Sequence, residues 1–169
     1  MAAVNYDPVI RLDKAGRSIR FQVISAKERP ALVRSYMAFE PKAVYQGLPP
    51  LPDRVEMWLD GLLDGWVNLG GFHQHRLVGH AALDSVGESA VSEYLIFIAP
   101  DYQNRGIGTA LTRYAVGLAH WAHGQKVWLV VQNSNLRAIK VYRRVGFHFT
   151  EPFAEEREMV LLLNQGERN

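Results

Sequence analysis

The chain has 169 residues, 48% of them hydrophobic, and this length and composition predict one compact domain spanning residues 1–169. It contains no cysteine, which excludes disulfide frameworks, thiol nucleophiles and thiolate metal sites. The 19 basic and 17 acidic residues nearly balance, and the longest basic run is the pair Arg143-Arg144, so we expect no nucleic-acid partner.

The sequence contains no segment that predicts contact with a membrane. No stretch approaches the roughly 20 apolar residues that span a bilayer, and residues 1–20 lack an apolar run of signal-peptide length. We therefore expect a cytoplasmic protein that does not bind a membrane, and the lack of cysteine agrees with a reducing compartment. The sequence leaves open whether the protein forms a homodimer.

The N-terminal part of the chain predicts a strand followed by two helices. Ser18–Ile24 alternates in polarity like a half-buried strand, and helix formers follow in Ala26–Phe39. Pro41–Pro52 contains four prolines and predicts an irregular loop. The run Asp53–Glu56 matches a capping box, so we expect a short helix from there to Gly65.

The remaining chain alternates between strands and helices. Pro100 ends a long buried strand, and Gly124 and Gly146 are predicted to close the two helices that follow. The predicted strands are Trp66–Phe72, Leu77–Leu83, Ala90–Ala99, Val127–Val131, Phe147–Phe149 and Glu158–Leu163, and the predicted helices are Ile107–His123 and Asn135–Val145. This order predicts a mixed α/β domain built on one central sheet.

The sharpest local signal is the turn from Gln103 to Gly108, which joins a buried strand to a helix. Its two glycines allow a tight turn and let an anion approach the backbone. The first N–H groups of the following helix lack intrahelical partners, and the helix dipole favours negative charge there. The turn therefore predicts a pyrophosphate site, and the alternative is a glycine-rich turn without a ligand. Leu111 stands where a dinucleotide fingerprint has its third glycine, which argues against that motif.

Two motifs resemble those of the GNAT superfamily of N-acetyltransferases. Gln103–Gly108 (QNRGIG) is similar to the family's Q/R-x-x-G-x-G/A signature, and Ile98–Pro100 before it resembles the end of the family's preceding strand. Asn135–Phe147 (NLRAIKVYRRVGF) resembles the family's N-x-x-A-x-x-x-Y-x-x-x-G-F helix. The core of the resemblance spans residues 77–149. It implies the GNAT α/β fold, a central, mostly antiparallel sheet with two splayed parallel strands and about four helices.

The resemblance implies that the protein uses acetyl-CoA as a cosubstrate and transfers its acetyl group directly to a primary amine. The pantetheine arm would lie between strands near Tyr94–Ala99 and Val127–Val131 and pair with the backbone of the first. Asn135 would contact this arm, cap the last helix, or do both. The residues implied to bind acetyl-CoA are Ile96, Ile98, Gln103, Asn104, Arg105, Gly106, Ile107, Gly108, Thr109 and Asn135.

Tyr142 matches the family tyrosine that lies near the thioester sulfur, where a phenol can protonate the departing thiolate. The alternative is a core tyrosine that packs its helix on the sheet. Glu93 is our first candidate for the base that deprotonates the amine, although strand alternation places it on the face opposite Ile96 and Ile98 unless a bulge intervenes. His80 is the second candidate, and its alternative is a sheet histidine with a satisfied hydrogen bond.

The acceptor would contact Tyr36–Trp66, the region in which family members vary most. Its aromatic side chains and the carboxylates of Glu40, Glu56, Asp60 and Asp64 would suit a cationic small-molecule amine, an amino acid or an aminoglycoside-like amine. A protein amine stays open as an acceptor. We expect no metal, because His-x-His at 73–75 lacks a third ligand nearby. The alternative function is a non-catalytic sensor of the same fold that binds acyl-CoA.

Overall fold

The computed structural model describes residues 5–38, 50–151 and 154–163, which contain eight strands and four α-helices. Within these ranges, no helix has both the length and the apolar character needed to cross a membrane. The elements in chain order are β1 Val9–Leu12, β2 Ser18–Ile24, α1 Arg29–Met37, α2 Val55–Gly65, β3 Trp66–His73, β4 Arg76–Asp84, β5 Val91–Ile98, α3 Ile107–Trp121, β6 Lys126–Gln132, α4 Leu136–Val145, β7 His148–Phe149 and β8 Glu156–Leu162.

The strands form one sheet in the order β1-β2-β3-β4-β5-β6-β8-β7. Every neighbouring pair is antiparallel except β5 and β6, which are parallel. Strands β1 to β5 are neighbours in chain order, with α1 and α2 between β2 and β3, whereas β6 returns beside β5 through α3. The predicted mixed α/β fold with two parallel strands in a mostly antiparallel sheet is therefore confirmed.

Each face of the sheet has its own apolar cluster. Helices α3 and α4 cover one face, where Leu111, Ala115 and Leu118 of α3 are fully buried against strand residues such as Leu83. Helices α1 and α2 cover the other, where residues such as Leu59 are fully buried. Full burial of a side chain of this size contributes about 1.5–3 kcal/mol relative to exposure. Helices therefore pack on both faces of the sheet, and this packing fixes the strand residues that lie between the two helix layers.

The structure contains a strand and a cap that the sequence patterns did not indicate. Strand β1 pairs with β2 across a tight turn, and its Ile10 and Leu12 remain exposed, so no alternation marks it. The predicted helix Ala26–Phe39 is a 3₁₀ turn at Ala26–Glu28 followed by α1, and Phe39 lies outside the described residues. Its capping box is formed by Ser25 and Glu28.

The predicted capping box at Asp53–Glu56 is wrong. A 3₁₀ turn, Pro52–Arg54, leads into α2, and no side chain caps that helix. Glu56 instead accepts a hydrogen bond from Arg29 of α1, a contact between helices that local spacing cannot reveal. Of the predicted loop Pro41–Pro52, residues 41–49 lie outside the described residues.

Helices α3 and α4 have different C-terminal caps. Gly146 closes α4 in the left-handed conformation with φ 115°, as predicted. At α3 the predicted cap, Gly124, is displaced by one residue, because His123 takes the left-handed conformation with φ 62°. Gly124 still donates its N–H to the carbonyl of Ala119 at 2.9 Å, so it contributes a hydrogen bond without the special backbone geometry.

Candidate active site

Strands β5 and β6 diverge after three paired residues. Their parallel pairing covers only Val91–Glu93, and beyond it β5 pairs with β4 while β6 pairs with β8. The N–H of Ala99 donates to the carbonyl of Val78 at 2.9 Å, so backbone groups at alternate positions of β5 point toward β4. The carbonyl of Tyr94 and the backbone groups of Ile96 and Ile98 therefore face the space between the two strands.

The predicted phosphate turn lies at the end of β5 and has an open helix start. Asn104 and Gly106 adopt left-handed φ angles of 59° and 86°, which reverse the chain before α3. Gly106 is the N-cap of α3, and no side chain caps this helix. Because the first helical hydrogen bond is Ala110 N–H to the carbonyl of Gly106, the preceding N–H groups of Ile107, Gly108 and Thr109 have no intrahelical partner.

The side chain of Gln103 connects this turn to both walls of the split. Its amide nitrogen donates to the carbonyl oxygen of Ile98 at 3.0 Å. Its amide oxygen accepts a hydrogen bond from the guanidinium of Arg137 on α4. Gln103 thus satisfies one of the β5 carbonyls that faces the split, and it holds Arg137 beside the phosphate turn. Arg105 is half-buried and donates to the carbonyl of Asp101 at 3.3 Å.

Tyr142 lies in an aromatic cluster on the α3–α4 face of the split. Its ring centroid is 6.4 Å from that of Tyr94 and 5.8 Å from that of Phe147. Burial raises the pKa of Tyr142, and no hydrogen bond contributes to this shift. Burial also raises the pKa of Tyr94, but the hydroxyl of that residue already donates to Thr112 at 3.0 Å. Of these two tyrosines, Tyr142 is the one whose proton is not committed to a neighbour.

Glu93 lies at the point where β5 and β6 part, on the opposite face from Tyr142. No register shift interrupts the β4–β5 pairing, so Glu93 shares the α1–α2 face with Phe97, as strand alternation predicts. Its backbone N–H donates to the carboxylate of Asp84 at the end of β4. Burial, and secondly the charge of Asp84, raise the pKa of the Glu93 carboxyl. A half-buried carboxylate with a raised pKa is a stronger base than an exposed one.

This arrangement of a split sheet and an uncapped helix start accompanies a clear sequence match. A sequence model of the acetyltransferase (GNAT) family matches residues 30–147, which is most of the chain. The chain belongs to this family.

Relatives and solved structures agree with the GNAT assignment. RimI from Mycobacterium tuberculosis, an N-alpha-acetyltransferase, is 40% identical over 74 residues, which cover 42% of this chain and 45% of RimI. The chain therefore spans less than half the length of that relative. The GNAT domain of S. lividans PAT superposes with a TM-score of 0.82 at 17% identity and covers 94% of this chain and 100% of that domain. YncA from Salmonella typhimurium, solved with its cofactor acetyl-CoA, gives a TM-score of 0.67 at 15% identity, covering 89% and 96%.

Asn135 of the second GNAT motif has a structural role. Its side-chain oxygen accepts the N–H of Ala138 at 3.1 Å, so it is the N-cap of α4. This hydrogen bond fixes the side-chain oxygen of Asn135 at the start of α4. The contact between Asn135 and the pantetheine arm stays a prediction.

The second candidate base of this GNAT chain, His80, is part of a closed hydrogen-bond network. Its Nδ1 lies 2.6 Å from the hydroxyl of Tyr36, and its Nε2 lies 3.0 Å from Oδ1 of Asn68. The amide nitrogen of Asn68 donates to the carbonyls of Leu62 and Trp66, so its oxygen must accept from Nε2–H, and Nδ1 must accept from Tyr36. Both ring nitrogens are therefore occupied, and His80 matches the alternative of a satisfied sheet histidine.

The acidic side chains expected near the acceptor are not all free. Arg29 binds Asp60 at 2.6 Å and Glu56 at 3.1 Å, so these two carboxylates already have a cationic partner. Phe39, Glu40 and Tyr45 lie outside the described residues. What the structure does show on this side is an aromatic cluster, in which the ring centroids of Tyr36, Trp58 and Phe97 are 5.1–5.9 Å apart. Within the described ranges no group of three His, Asp or Glu side chains could hold a metal ion.

Sequence reasoning missed two residues of this site. Asp84 was overlooked because its contact with Glu93 crosses the β4–β5 hairpin, and its position opposite Glu93 at the strand ends was the available signal. Arg137 was overlooked because its partner, Gln103, is 34 positions away, and no local pattern indicates that pairing.

The buried network predicts an acid-sensitive stability that depends on His80. Burial lowers the pKa of His80 to about 3, so below its ordinary value near 6.5 the unfolded chain binds a proton that the folded chain does not. The free energy of unfolding should therefore fall as pH decreases from about 6.5 toward 3, by up to about 1.4 kcal/mol per pH unit from this group. Urea denaturation at several pH values, compared between wild type and His80→Gln, measures this contribution.

The His80→Gln variant should be less stable at neutral pH but should show a shallower loss of stability on acidification. His148→Gln, at an exposed position, is the matched control and should keep the wild-type slope. An equal slope in wild type and His80→Gln would show that His80 is not the buried neutral histidine described here.

Proposed function

We propose that this chain is an N-acetyltransferase that moves the acetyl group of acetyl-CoA directly to a primary amine. The observation that carries the proposal is the open backbone edge of β5, which leads to the uncapped N-terminus of α3. An extended arm that carries amide groups can pair with such an edge like an added strand. A pyrophosphate at the end of that arm would then meet the free N–H groups of Ile107, Gly108 and Thr109.

The charge distribution supports an anionic cosubstrate at this end of the molecule. No Asp or Glu occurs between Tyr102 and Thr150, the segment that contains the phosphate turn, α3, β6 and α4. The same segment carries seven cations, Arg105, Arg113, Lys126, Arg137, Lys140, Arg143 and Arg144. The near-neutral total therefore conceals a basic segment, and coenzyme A, with a pyrophosphate and a 3′-phosphate, complements it.

In the proposed reaction Glu93 and Tyr142 move protons at different atoms. Glu93, directly or through a water, removes a proton from the acceptor ammonium, and the neutral nitrogen attacks the thioester carbonyl carbon. Tyr142 donates its proton to the sulfur as the carbon–sulfur bond breaks. The nitrogen then loses its second proton, which returns the Tyr142 phenolate to a phenol directly or through water, and Glu93 releases its proton to solvent. The products are an N-acetyl amine and free coenzyme A. Acetyl-CoA supplies the activated acetyl group, so no covalent acyl-enzyme is needed.

The acceptor in this proposal is a small-molecule amine, an amino acid, an aminoglycoside-like amine or a protein amine. The described part of the acceptor side favours a ligand that packs on aromatic rings, because the half-buried rings of Trp58 and Phe97 lie there, and both pack on the buried ring of Tyr36. Attraction of a cation by Glu56 and Asp60 is weakened, since Arg29 binds both. We therefore expect apolar contacts, rather than charge, to contribute most to the binding of the acceptor amine by these residues.

Acetyl-CoA should raise the melting temperature of the protein. A ligand that binds only the folded state adds about 2.7 kcal/mol at about 100 times Kd, which corresponds to roughly 5–10 °C for a chain of this size. Thermal unfolding with acetyl-CoA, with ATP and without ligand measures the shift. A shift with ATP alone would contradict the proposal, as would no shift at millimolar acetyl-CoA. Thiol release against a panel of amines then separates an enzyme from the non-catalytic sensor.

Replacing Tyr142 with Phe should lower kcat by about 10²-fold or more, because the thiolate would leave without a proton donor. The affinity for acetyl-CoA, measured by calorimetry, should stay close to that of the wild type, since only the hydroxyl is lost. Tyr94→Phe is the matched control in the same aromatic cluster and should keep most of kcat. A large loss in Tyr94→Phe and none in Tyr142→Phe would reverse the assignment of the acid.

The acidic limb of the pH–rate profile should shift when Asp84 is changed. Glu93 must be ionised to accept a proton, so the rate falls as pH decreases through its raised pKa. Asp84→Asn keeps the oxygen that accepts the Glu93 N–H but removes the neighbouring negative charge, so the pKa of Glu93 should decrease and the limb should move to lower pH. Because burial is the larger cause of the raised pKa, the limb should not move as far as that of an exposed glutamate.

The comparison uses one acceptor amine throughout, so that the ionisation of the amine itself is the same in every profile. Glu93→Gln should lower kcat by about 10²-fold and remove the limb. An unchanged limb in both variants would assign the base to another group.

A further inference from the structure

The tip of the β1–β2 hairpin is bonded directly to the predicted phosphate turn. The backbone N–H of Lys14 donates to the carbonyl of Arg105 at 3.0 Å. Arg105 immediately precedes Gly106, the residue that starts α3 in the left-handed conformation. The hairpin lies outside residues 30–147, the part of the chain that matches the GNAT family, so this contact is not a feature on which that match rests.

The hairpin tip is rigid because Asp13 organises it. The Asp13 carboxylate accepts the N–H groups of Ala15 and Arg17 at 2.8 and 3.0 Å and binds the guanidinium of Arg17 through two further hydrogen bonds of 2.8 and 2.7 Å. Burial alone would raise the pKa of Asp13, but the hydrogen bonds from Arg17 and Ala15 lower it overall, so the pair stays ionised at neutral pH. With four hydrogen bonds on one carboxylate, the tip has little freedom to move.

The same arginine also clamps the chain just before the phosphate turn. The guanidinium carbon of Arg17 lies 4.0 Å from the ring centroid of Tyr102, and that of Arg76 lies 5.1 Å from it. Tyr102 is buried, and its hydroxyl lies 2.8 Å from Nδ1 of His73. Arg76 in turn binds Asp101 at 2.6 Å. The residues on the N-terminal side of Gln103 are therefore fixed by contacts from the β1–β2 turn, β3 and β4.

We propose that Asp13, Arg17 and the backbone N–H of Lys14 are positioning residues for acetyl-CoA, because they hold the phosphate turn in its binding conformation before the ligand arrives. This inference rests on the proposed function. Several N–H groups must point at one pyrophosphate, and a turn that is free to move would lose conformational freedom on binding. The hairpin removes that cost in advance, and this role requires no contact between the three groups and the ligand.

Two substitutions at Lys14 separate the backbone contact from the side chain. Lys14 is the second residue of the turn closed by Gly16 N–H and the carbonyl of Asp13, a position that proline accepts. Lys14→Pro removes the N–H that holds Arg105, whereas Lys14→Gln keeps it and removes only the charge. We expect Lys14→Pro to raise the Kd for acetyl-CoA about tenfold, within the ~10²-fold that a ~1 Å misplacement can cost. Lys14→Gln should stay within about threefold of wild type, as expected for one exposed charge worth less than 1 kcal/mol.

Arg17→Gln tests the clamp on Tyr102, and Arg29→Gln is its matched control. Arg29 also forms hydrogen-bonded ion pairs with carboxylates, but it joins α1 to α2 away from the phosphate turn. We expect Arg17→Gln to raise the KM for acetyl-CoA about tenfold with kcat nearly unchanged. Arg29→Gln should lower the melting temperature without changing the KM for acetyl-CoA. A purely structural role of Arg17 would lower the melting temperature and leave the KM as it is.

Isothermal titration of each folded variant with acetyl-CoA decides the proposal without any acceptor amine. If wild type does not bind acetyl-CoA, the proposed function fails. If wild type binds, and Lys14→Pro and Arg17→Gln bind equally tightly, the positioning role is overturned while the function stands. Should Lys14→Pro fail to fold, Arg17→Gln and its Arg29→Gln control give the decision alone.

Discussion

The divergence of β5 from β6 is the constraint on which the rest of this structure depends. Backbone N–H and carbonyl groups inside a protein need partners, and a strand that leaves its neighbour gives up a row of them. One such group, the carbonyl of Ile98, is satisfied by Gln103. The carbonyl of Tyr94 and the backbone groups of Ile96 remain directed into the split, and a ligand with amides along an extended arm can satisfy them. The divergence of β5 from β6 thus removes hydrogen bonds from the sheet and creates the surface on which the proposed function rests.

Helices α3 and α4 pack over the split between β5 and β6. A side-chain carbon added at Gly108 would lie 3.6 Å from both Ile98 of β5 and Val141 of α4, so the start of α3 fits between these two walls. Deeper in the cleft, Tyr94, Tyr142 and Phe147 fill the space with aromatic rings. Thr112 ties this cluster to the helix start, because it accepts the hydroxyl proton of Tyr94 and donates to the carbonyl of Gly108 at 2.8 Å. The aromatic cluster and the phosphate turn are therefore connected through the side chain of Thr112.

What could be predicted from the sequence was what short-range patterns encode. Strand Ser18–Ile24, the helix from Asn135 with its closing Gly146, and the turn at Gln103–Gly108 all carry their signals within a few residues, and the structure contains each of them. Contacts between distant positions carry no such signal. Glu56 accepts a hydrogen bond from Arg29 instead of capping its own helix, and the guanidinium of Arg17 packs on the ring of Tyr102. Strand β1 was missed because its exposed apolar residues do not alternate, so only its pairing with β2 defines it.

The placement of Glu93 and Tyr142 on opposite faces of β5 fits the needs of a direct transfer better than a shared face would. The nitrogen that attacks and the sulfur that leaves are separate atoms on the same carbonyl carbon, so the group that accepts a proton and the group that donates one must not compete for the same position. The two environments differ accordingly. Tyr142 is surrounded by aromatic rings, and burial raises its pKa, so it stays protonated at neutral pH, as the proposed general acid must. Glu93 is half-buried beside Asp84, which makes it a better proton acceptor than an exposed glutamate. Behind it on the same face, the neutral network around His80 adds no positive charge that would oppose this shift.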